Sequence, residues 1–346
     1  MVKTLASDNF SGAHELVVQR MVEANRGHAR AYGDDPWTAQ ARQAFVDLFE
    51  HPVETFFVFN GTGANVIALR TAVRPYSAVF CAESAHLYND ESTAPETFLG
   101  CRVRPLPAHG GRINPSDLGF ALGRGHGVHC AKPTVLSLTE PTEVGTLYQP
   151  DELKSLVDLA HASGLAVHVD GARIGTALVA LGLTPKQLLV DTGVDIVSFG
   201  GTKQGMFFGE AVVFIKPELA REFAYFQKQG LQLASKGRFI AAQFLALLEN
   251  GLWLEGARHA NAMARYLAAQ VEQLGVPIVY PVQTNAVFAQ LEPSRIGPLQ
   301  AEMFFWPWDE RTGIVRWMTT FDTTETDIMR FCDALRRVLA QGPARK

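Results

Sequence analysis

The sequence is poor in cysteine, in long apolar runs and in any excess of one charge, and each shortage removes a class of function. Four cysteines, Cys81, Cys101, Cys130 and Cys332, stand singly among 346 residues. That spacing excludes a disulfide framework and offers no metal-ligand pattern, so no metal is expected. Lys and Arg number 31 against 35 Asp and Glu, a formal net charge of -4. A nucleic-acid binder would carry a basic face instead. The most apolar long stretch, "AAQFLALLENGLWLEGARHA", contains Glu and Asn, so no membrane span is expected. The opening "MVKTLASDNF" lacks the apolar core of a signal peptide, and a cytoplasmic location is the expectation. No Walker loop and no Gly-x-Ser-x-Gly elbow occurs, which removes P-loop nucleotide chemistry and serine hydrolysis of that kind.

What is present is an ordinary globular composition, 47% hydrophobic and 19% charged, in a chain long enough for a large domain and a smaller one. From about residue 56 to 215, short β-branched or aromatic runs ("FFVF", "AVFCA", "TVLSLT", "LAVHV", "VDIVSF", "AVVFI") alternate with helical stretches such as "PDELKSLVDLAHASG". Alternation of this kind predicts a mostly parallel sheet covered by helices on both faces, an α/β fold. In "YGDDPWTAQARQAFVDLFE", Asp35 is the expected N-cap and Pro36 the first helical residue. Two long helical stretches follow, then the short apolar runs "PIVY", "AVFAQL", "MFFWPW" and "IVRWM" and a last helix over about 325–340. We therefore expect a large domain over 1–240 and a small α+β domain over 241–346.

Ligands of open parallel sheets sit beyond the carboxyl ends of the strands. Those ends are followed by Asn60-Gly61-Thr62-Gly63-Ala64-Asn65, by Glu83, Ser84 and His86, by Glu140, by Asp170 and Arg173, and by Gly200-Gly201-Thr202-Lys203. Each has a plainer alternative. "NGTGAN" is a phosphate loop on a helix N-terminus or only a turn, and Val66 breaks the dinucleotide fingerprint. His86 is a site residue or a core histidine, and His129 precedes its strand instead of following it. Asp170 could cap the next helix, with Arg173 its ion-pair partner. Lys203, in a tight turn, suits a nucleophilic amine, a phosphate clamp or a buried ion pair. Asp170 and Lys203 decide between them, at the ends of strands one strand-helix-strand unit apart. That spacing suits pyridoxal phosphate, with the lysine as Schiff-base anchor and the aspartate at the pyridinium nitrogen.

Through "ASDNFSG", "AYGDDPWT", "FNGTGAN", "AESAHLYNDES", "HVDGARIG", "SFGGTKQG", "QLASKGRF" and "VRWMTTFDTTE" the chain resembles the low-specificity L-threonine aldolases. These belong to the β-eliminating-lyase group of fold-type-I pyridoxal-phosphate enzymes. The resemblance implies that Lys203 anchors the cofactor, that Asp170 bonds its ring nitrogen, and that His86 stacks on the ring and is a candidate base. It implies phosphate contacts from Gly61, Thr62 and Gly63, to which the Thr202 hydroxyl could add, and places Arg173 at the cofactor or substrate edge. Ser7 and Arg316 match positions that take the substrate carboxylate. His129 matches a histidine near the substrate hydroxyl, and Tyr32 and Glu91 match further site positions. A homodimer or homotetramer is implied, with Lys228 or Arg238 near the neighbouring subunit's site. The implied reaction is cleavage of an L-β-hydroxy-α-amino acid to glycine and an aldehyde. The alternative keeps the cofactor but performs β-elimination, transamination or racemisation. "TEPTEVG", Ser92-Thr93 and "KQGLQLASKG" depart from the family pattern, near the substrate or the subunit interface.

Overall fold

The computed structural model describes residues 3–125 and 127–340. Its main sheet has seven strands: β1 (Glu54–Val58), β2 (Ser77–Ala82), β3 (Arg102–Leu106), β4 (Lys132–Thr139), β5 (Ala166–Gly171), β6 (Ile196–Gly200) and β7 (Glu210–Phe214). They lie in the order β1-β7-β6-β5-β4-β2-β3. β7 runs antiparallel to both neighbours, and the other pairs are parallel. Every residue of β2, β6 and β7 is buried. Successive strand residues point to opposite faces, so both faces are covered, as the unbroken apolar runs predict. β3 is the strand that the sequence pattern does not reveal: "RVRPL" carries two arginines and a proline, tolerable only at an edge.

The helix Pro36–Phe49 begins as expected. Asp35 Oδ1 accepts the Thr38 N–H and Oδ2 the Thr38 hydroxyl, both at 2.8 Å. Phe45 from this helix, Phe199 from β6, Phe244 and Trp253 meet in the larger core. The second sheet, in the order β8-β10-β9, comprises β8 (Ala286–Gln290), β9 (Trp306–Asp309) and β10 (Ile314–Met318). It packs on the helices Leu252–Gln273, Pro293–Glu302 and Glu325–Ala340 around Trp317, Phe305 and Phe331. "PIVY" makes only an isolated bridge, Ile278 to Ala289, and is not a strand. The apolar interior changes along Leu252–Gln273, with Trp253 in the first core and Leu267 and Val271 in the second. Leu5 also belongs to the second core, and its carbonyl accepts the Met318 N–H at 2.8 Å. The start of the chain is thereby tied beside β10. No described helix is long and apolar enough to cross a membrane.

Candidate active site

The carboxyl ends of β5 and β6 supply the first groups. Asp170, near the end of β5, is 8% exposed. Its Oδ1 accepts the Ala172 N–H at 3.0 Å and its Oδ2 the Asn65 Nδ2 at 2.8 Å. The carboxylate thus holds its own turn and does not cap the helix Ile174–Leu181, which has no side-chain cap. Two residues earlier on the same strand face, His168 is fully buried between Ser137 Oγ and Ser198 Oγ, each at 2.9 Å. Burial pushes its pKa down to about 4, so it stands neutral beneath the aspartate.

Lys203 sits in the turn joining β6 to β7. The neighbouring Arg173 guanidinium and burial both lower its pKa, against the pull of Asp8, Asp170 and Glu210. The turn has little room: a Cβ on Gly200 would come within 2.1 Å of the Ala172 carbonyl oxygen. Glu210 Oε2 accepts the Gly201 N–H at 2.6 Å, and burial raises that acid to about 7. The Thr202 hydroxyl accepts the Gly209 N–H at 3.0 Å. With its own long donation to the Gly209 carbonyl at 3.4 Å, it closes the turn.

Arg173 turns away from Asp170 and pairs with Asp8, donating from Nε to Oδ2 at 2.5 Å and from Nη2 to Oδ1 at 2.8 Å. Burial opposes the charge on Asp8, yet Arg173, with Lys203 and Arg316 beyond it, holds its pKa below the ordinary value. Ser7 caps the short turn Asp8–Phe10, its Oγ accepting the Asn9 N–H at 3.2 Å. Asp8, Arg173, Lys203 and Asn285 line one cavity. Arg316, on β10, is pushed down to about 10 by burial and by Arg173. Its Nε is buried without a partner among the described residues, and its guanidinium lies 5.6 Å from the Trp308 ring centroid.

His86 opens a four-residue helix after β2. Its Nδ1 lies 3.1 Å from Glu91 Oε1, and that hydrogen bond raises its pKa against the opposing effect of burial. An ionised Glu91 only accepts, so Nδ1 carries the proton of that bond, and in the neutral ring Nε2 keeps its lone pair. The His86 backbone N–H donates to Glu143 Oε1 at 2.9 Å, and burial raises Glu143 to about 7. Glu140, the first residue after β4, faces away, its Oε2 accepting the Tyr148 N–H at 3.1 Å. The departure "TEPTEVG" therefore meets the site through Glu143.

The helix Gly61–Arg70 starts at Asn60, whose Oδ1 accepts the Gly63 N–H at 2.8 Å. The Gly63 amide is thus used inside the loop. A Cβ there would fall 2.4 Å from Gln232 Cδ, so Gly63 faces Gln232 and not open space. The amides of Gly61 and Thr62 remain, in a first turn that has no intrahelical partners for them. Gln232 belongs to the divergent "KQGLQLASKG", and its Oε1 accepts the Phe59 N–H at 2.9 Å.

Four expected residues lie apart within one chain. Tyr32 lines a different cavity, with the Lys228 ammonium 5.0 Å from its ring centroid. Arg238 Nη1 donates to the Gly27 carbonyl at 3.2 Å. His129 is exposed, just before β4 begins, whereas the group above gathers beyond the carboxyl ends of the parallel strands. The length of β4 separates it from them. Conversely, Asp8, Asn65, Glu143 and Glu210 belong to the group, and the sequence assigns none of them a role of its own. Asp8 and Asn65 stand in motifs quoted for their neighbours, and Glu210 reads as an ordinary first residue of a strand.

The family profile described as beta-eliminating lyase matches residues 4–294. A low specificity L-threonine aldolase of Pseudomonas aeruginosa is 42% identical over 336 residues, covering 96% of this chain and 97% of its own. One from another Pseudomonas strain is 41% identical over 337 residues, 97% of each chain. The solved structure of a Leishmania major threonine aldolase superposes with a TM-score of 0.91 at 30% identity, covering 97% of this chain and 99% of that one.

Proposed function

The chain belongs to the low specificity L-threonine aldolases of the beta-eliminating lyase family, and from that premise we propose that it is a pyridoxal 5′-phosphate-dependent aldehyde-lyase. It cleaves L-β-hydroxy-α-amino acids of the threonine, allo-threonine and phenylserine type to glycine and an aldehyde, and runs the reverse addition. The observation that carries this is the meeting of a buried carboxylate, Asp170, a lysine of lowered pKa, Lys203, and an arginine, Arg316, whose buried Nε has no partner among the described residues.

That donor set fits the cofactor. Asp170 would hold the protonated ring nitrogen, Lys203 would be the covalent anchor, and the Gly61 and Thr62 amides would meet the phosphate. When bound, pyridoxal phosphate supplies the electron sink for the pair released from the Cα–Cβ bond. Lys203 enters with its proton more easily lost than in water, because Arg173 stands beside it and burial disfavours its charge. Arg316 takes the substrate carboxylate: its desolvation is already spent in the fold, and its planar fork suits a bidentate partner. Ser7 stands beside Asp8, at the edge where that carboxylate would lie. His86 accepts the β-hydroxyl proton at Nε2, the nitrogen that Glu91 leaves free. His129 has no part in this within one chain.

Assembly into a homodimer or homotetramer would give Lys228 or Arg238, and with them Tyr32, a neighbouring site to serve; a monomeric mass by light scattering would refute it. The single cysteines fit the cytoplasm, which fractionation tests. The reaction itself is tested with L-threonine, L-allo-threonine, L-phenylserine and L-serine, with glycine and aldehyde both quantified. Equimolar glycine and aldehyde are expected. Pyruvate with ammonia, a keto acid, or a racemised substrate would overturn the assignment.

A further inference from the structure

We propose that Asn65 is a positioning residue whose amide joins the proton-handling pair His86–Glu91 to Asp170, so that the charge states of the three side chains are set together. Nδ2 of Asn65 lies 2.9 Å from Glu91 Oε1 and 2.8 Å from Asp170 Oδ2, and Glu91 Oε1 lies 3.1 Å from His86 Nδ1. The three buried members come from three places in the chain: the helix Gly61–Arg70, the segment after the short His86 helix, and the end of β5. Asn65 is 2% exposed and Glu91 4%. An amide nitrogen carries two hydrogens, one for each carboxylate. The flipped amide would set its oxygen against two acceptors with no proton between them, so the chemistry of the partners fixes the orientation.

Two carboxylates reaching for one nitrogen are close enough that, without the shared donor, each would disfavour the other's charge. Burial already raises the pKa of Glu91, and Asp170 adds to that. The other charged groups facing His86 are Asp170 on β5, Lys203 in the β6–β7 turn and Glu143 behind its backbone. None of these donates a hydrogen bond to Glu91, whose donors are His86 and Asn65. The amide thus gives each acid a donor where the charge of the other would oppose its own. Glu91 then orients His86, and the amide holds the Asp170 carboxylate in place for the cofactor ring. The last clause rests on the function proposed above.

The test uses the full chain, with and without pyridoxal 5′-phosphate. Asn65→Leu removes both donors at similar volume. Asn65→Asp keeps the shape, and it donates only while protonated. The ring titration of His86, followed by NMR and assigned by its loss in His86→Asn, is expected to move to lower pH in Asn65→Leu, because a Glu91 that loses a donor takes up its own proton sooner and no longer holds the imidazolium. Cofactor affinity, read from the visible absorbance, is expected to fall by about tenfold to a hundredfold. In Asn65→Leu it should weaken further between about pH 8 and about pH 6, while in Asn65→Asp it should recover over that interval. A packing role produces no such opposite slopes. Should Asn65→Leu fail to fold, the slope in Asn65→Asp decides alone. A His86 titration unchanged in both variants overturns the role of Asn65. A shifted titration with cofactor affinity unchanged overturns instead the assignment of Asp170 to the ring.

Discussion

Replacing Arg316 with methionine is expected to remove activity without removing stability. An arginine lowered from its ordinary value to about 10 keeps its charge in the fold at a cost of roughly 3 kcal/mol. Solvent reaching the partly buried group reduces this to about 1–2 kcal/mol. The folded-state pKa is the depressed one, so the penalty applies wherever the arginine is charged, throughout the neutral range, and fades only above the folded value. Methionine removes it and forfeits roughly 0.5–1 kcal/mol of contact between the guanidinium and Trp308. Stability to urea should therefore hold or rise by up to about 1 kcal/mol. Losing one partner of a desolvated charge pair costs about 2–5 kcal/mol in the complex. Steady-state cleavage should accordingly show kcat/KM lower by roughly thirtyfold to several thousandfold, with KM raised. A variant that loses more than about 2 kcal/mol of stability while keeping kcat/KM within about tenfold would show that Arg316 is a structural residue, and the carboxylate assignment would fall.

Lys203→Ala should show neither the visible absorbance of covalently bound cofactor nor turnover; absorbance that survives refutes the anchor. Glu91→Gln removes the carboxylate that raises the His86 pKa, so the acid limb of the kcat/KM profile should move to lower pH. The sign follows from the raised folded value: the pairing stabilises the fold below the unfolded histidine pKa and is lost as pH rises through the folded one. An unmoved limb means that His86 is not the base. Asp8→Asn keeps the shape but leaves the Arg173 charge without its acid; Asp8 is 2% exposed in its side chain and Arg173 23%. Urea unfolding should report a loss of about 3 kcal/mol, and a loss under about 1 kcal/mol would mean that the pair is no better than a surface one.

Most of the fold was legible because its elements are long and strongly patterned. The buried strands β2, β4, β5 and β6 declare themselves as apolar runs, and the helix Pro36–Phe49 by Asp35 and Pro36 at its start. What failed to show was set by neighbours and not by local pattern. β3 is an edge strand whose arginines need no burial on one side. β7 reads like its parallel neighbours but runs against them, because the hairpin-like return through Gly200–Gly209 depends on contacts made by Glu210 and Thr202. "PIVY" has strand composition, yet only Ile278 finds a bridge partner.

The site divides along the same line. Residues that belong to a strand end could be found from the strand, and Asp170, Lys203 and His86 are of that kind. Their partners could not, because each arrives from a distant element: Asp8 reaches Arg173 across 165 residues, and Asn65 reaches Asp170 across 105. The pair Glu140 and Glu143 makes the limit plain. The position immediately after β4 is occupied by Glu140, which turns to the Tyr148 amide, while Glu143 three residues on meets the backbone of His86. Nothing in composition distinguishes the two acids; only the path of the loop decides which one faces the histidine. The electrostatics follow from those same unread contacts. Lys203 is lowered chiefly by Arg173, not by burial alone, and Arg173 can stand beside it only because Asp8 compensates part of its charge. A lysine poised to lose its proton is therefore a property of the N-terminal segment as much as of the turn that carries it. Loosening Leu5 from its place against Met318 should disturb the amine even with every residue around Lys203 unchanged.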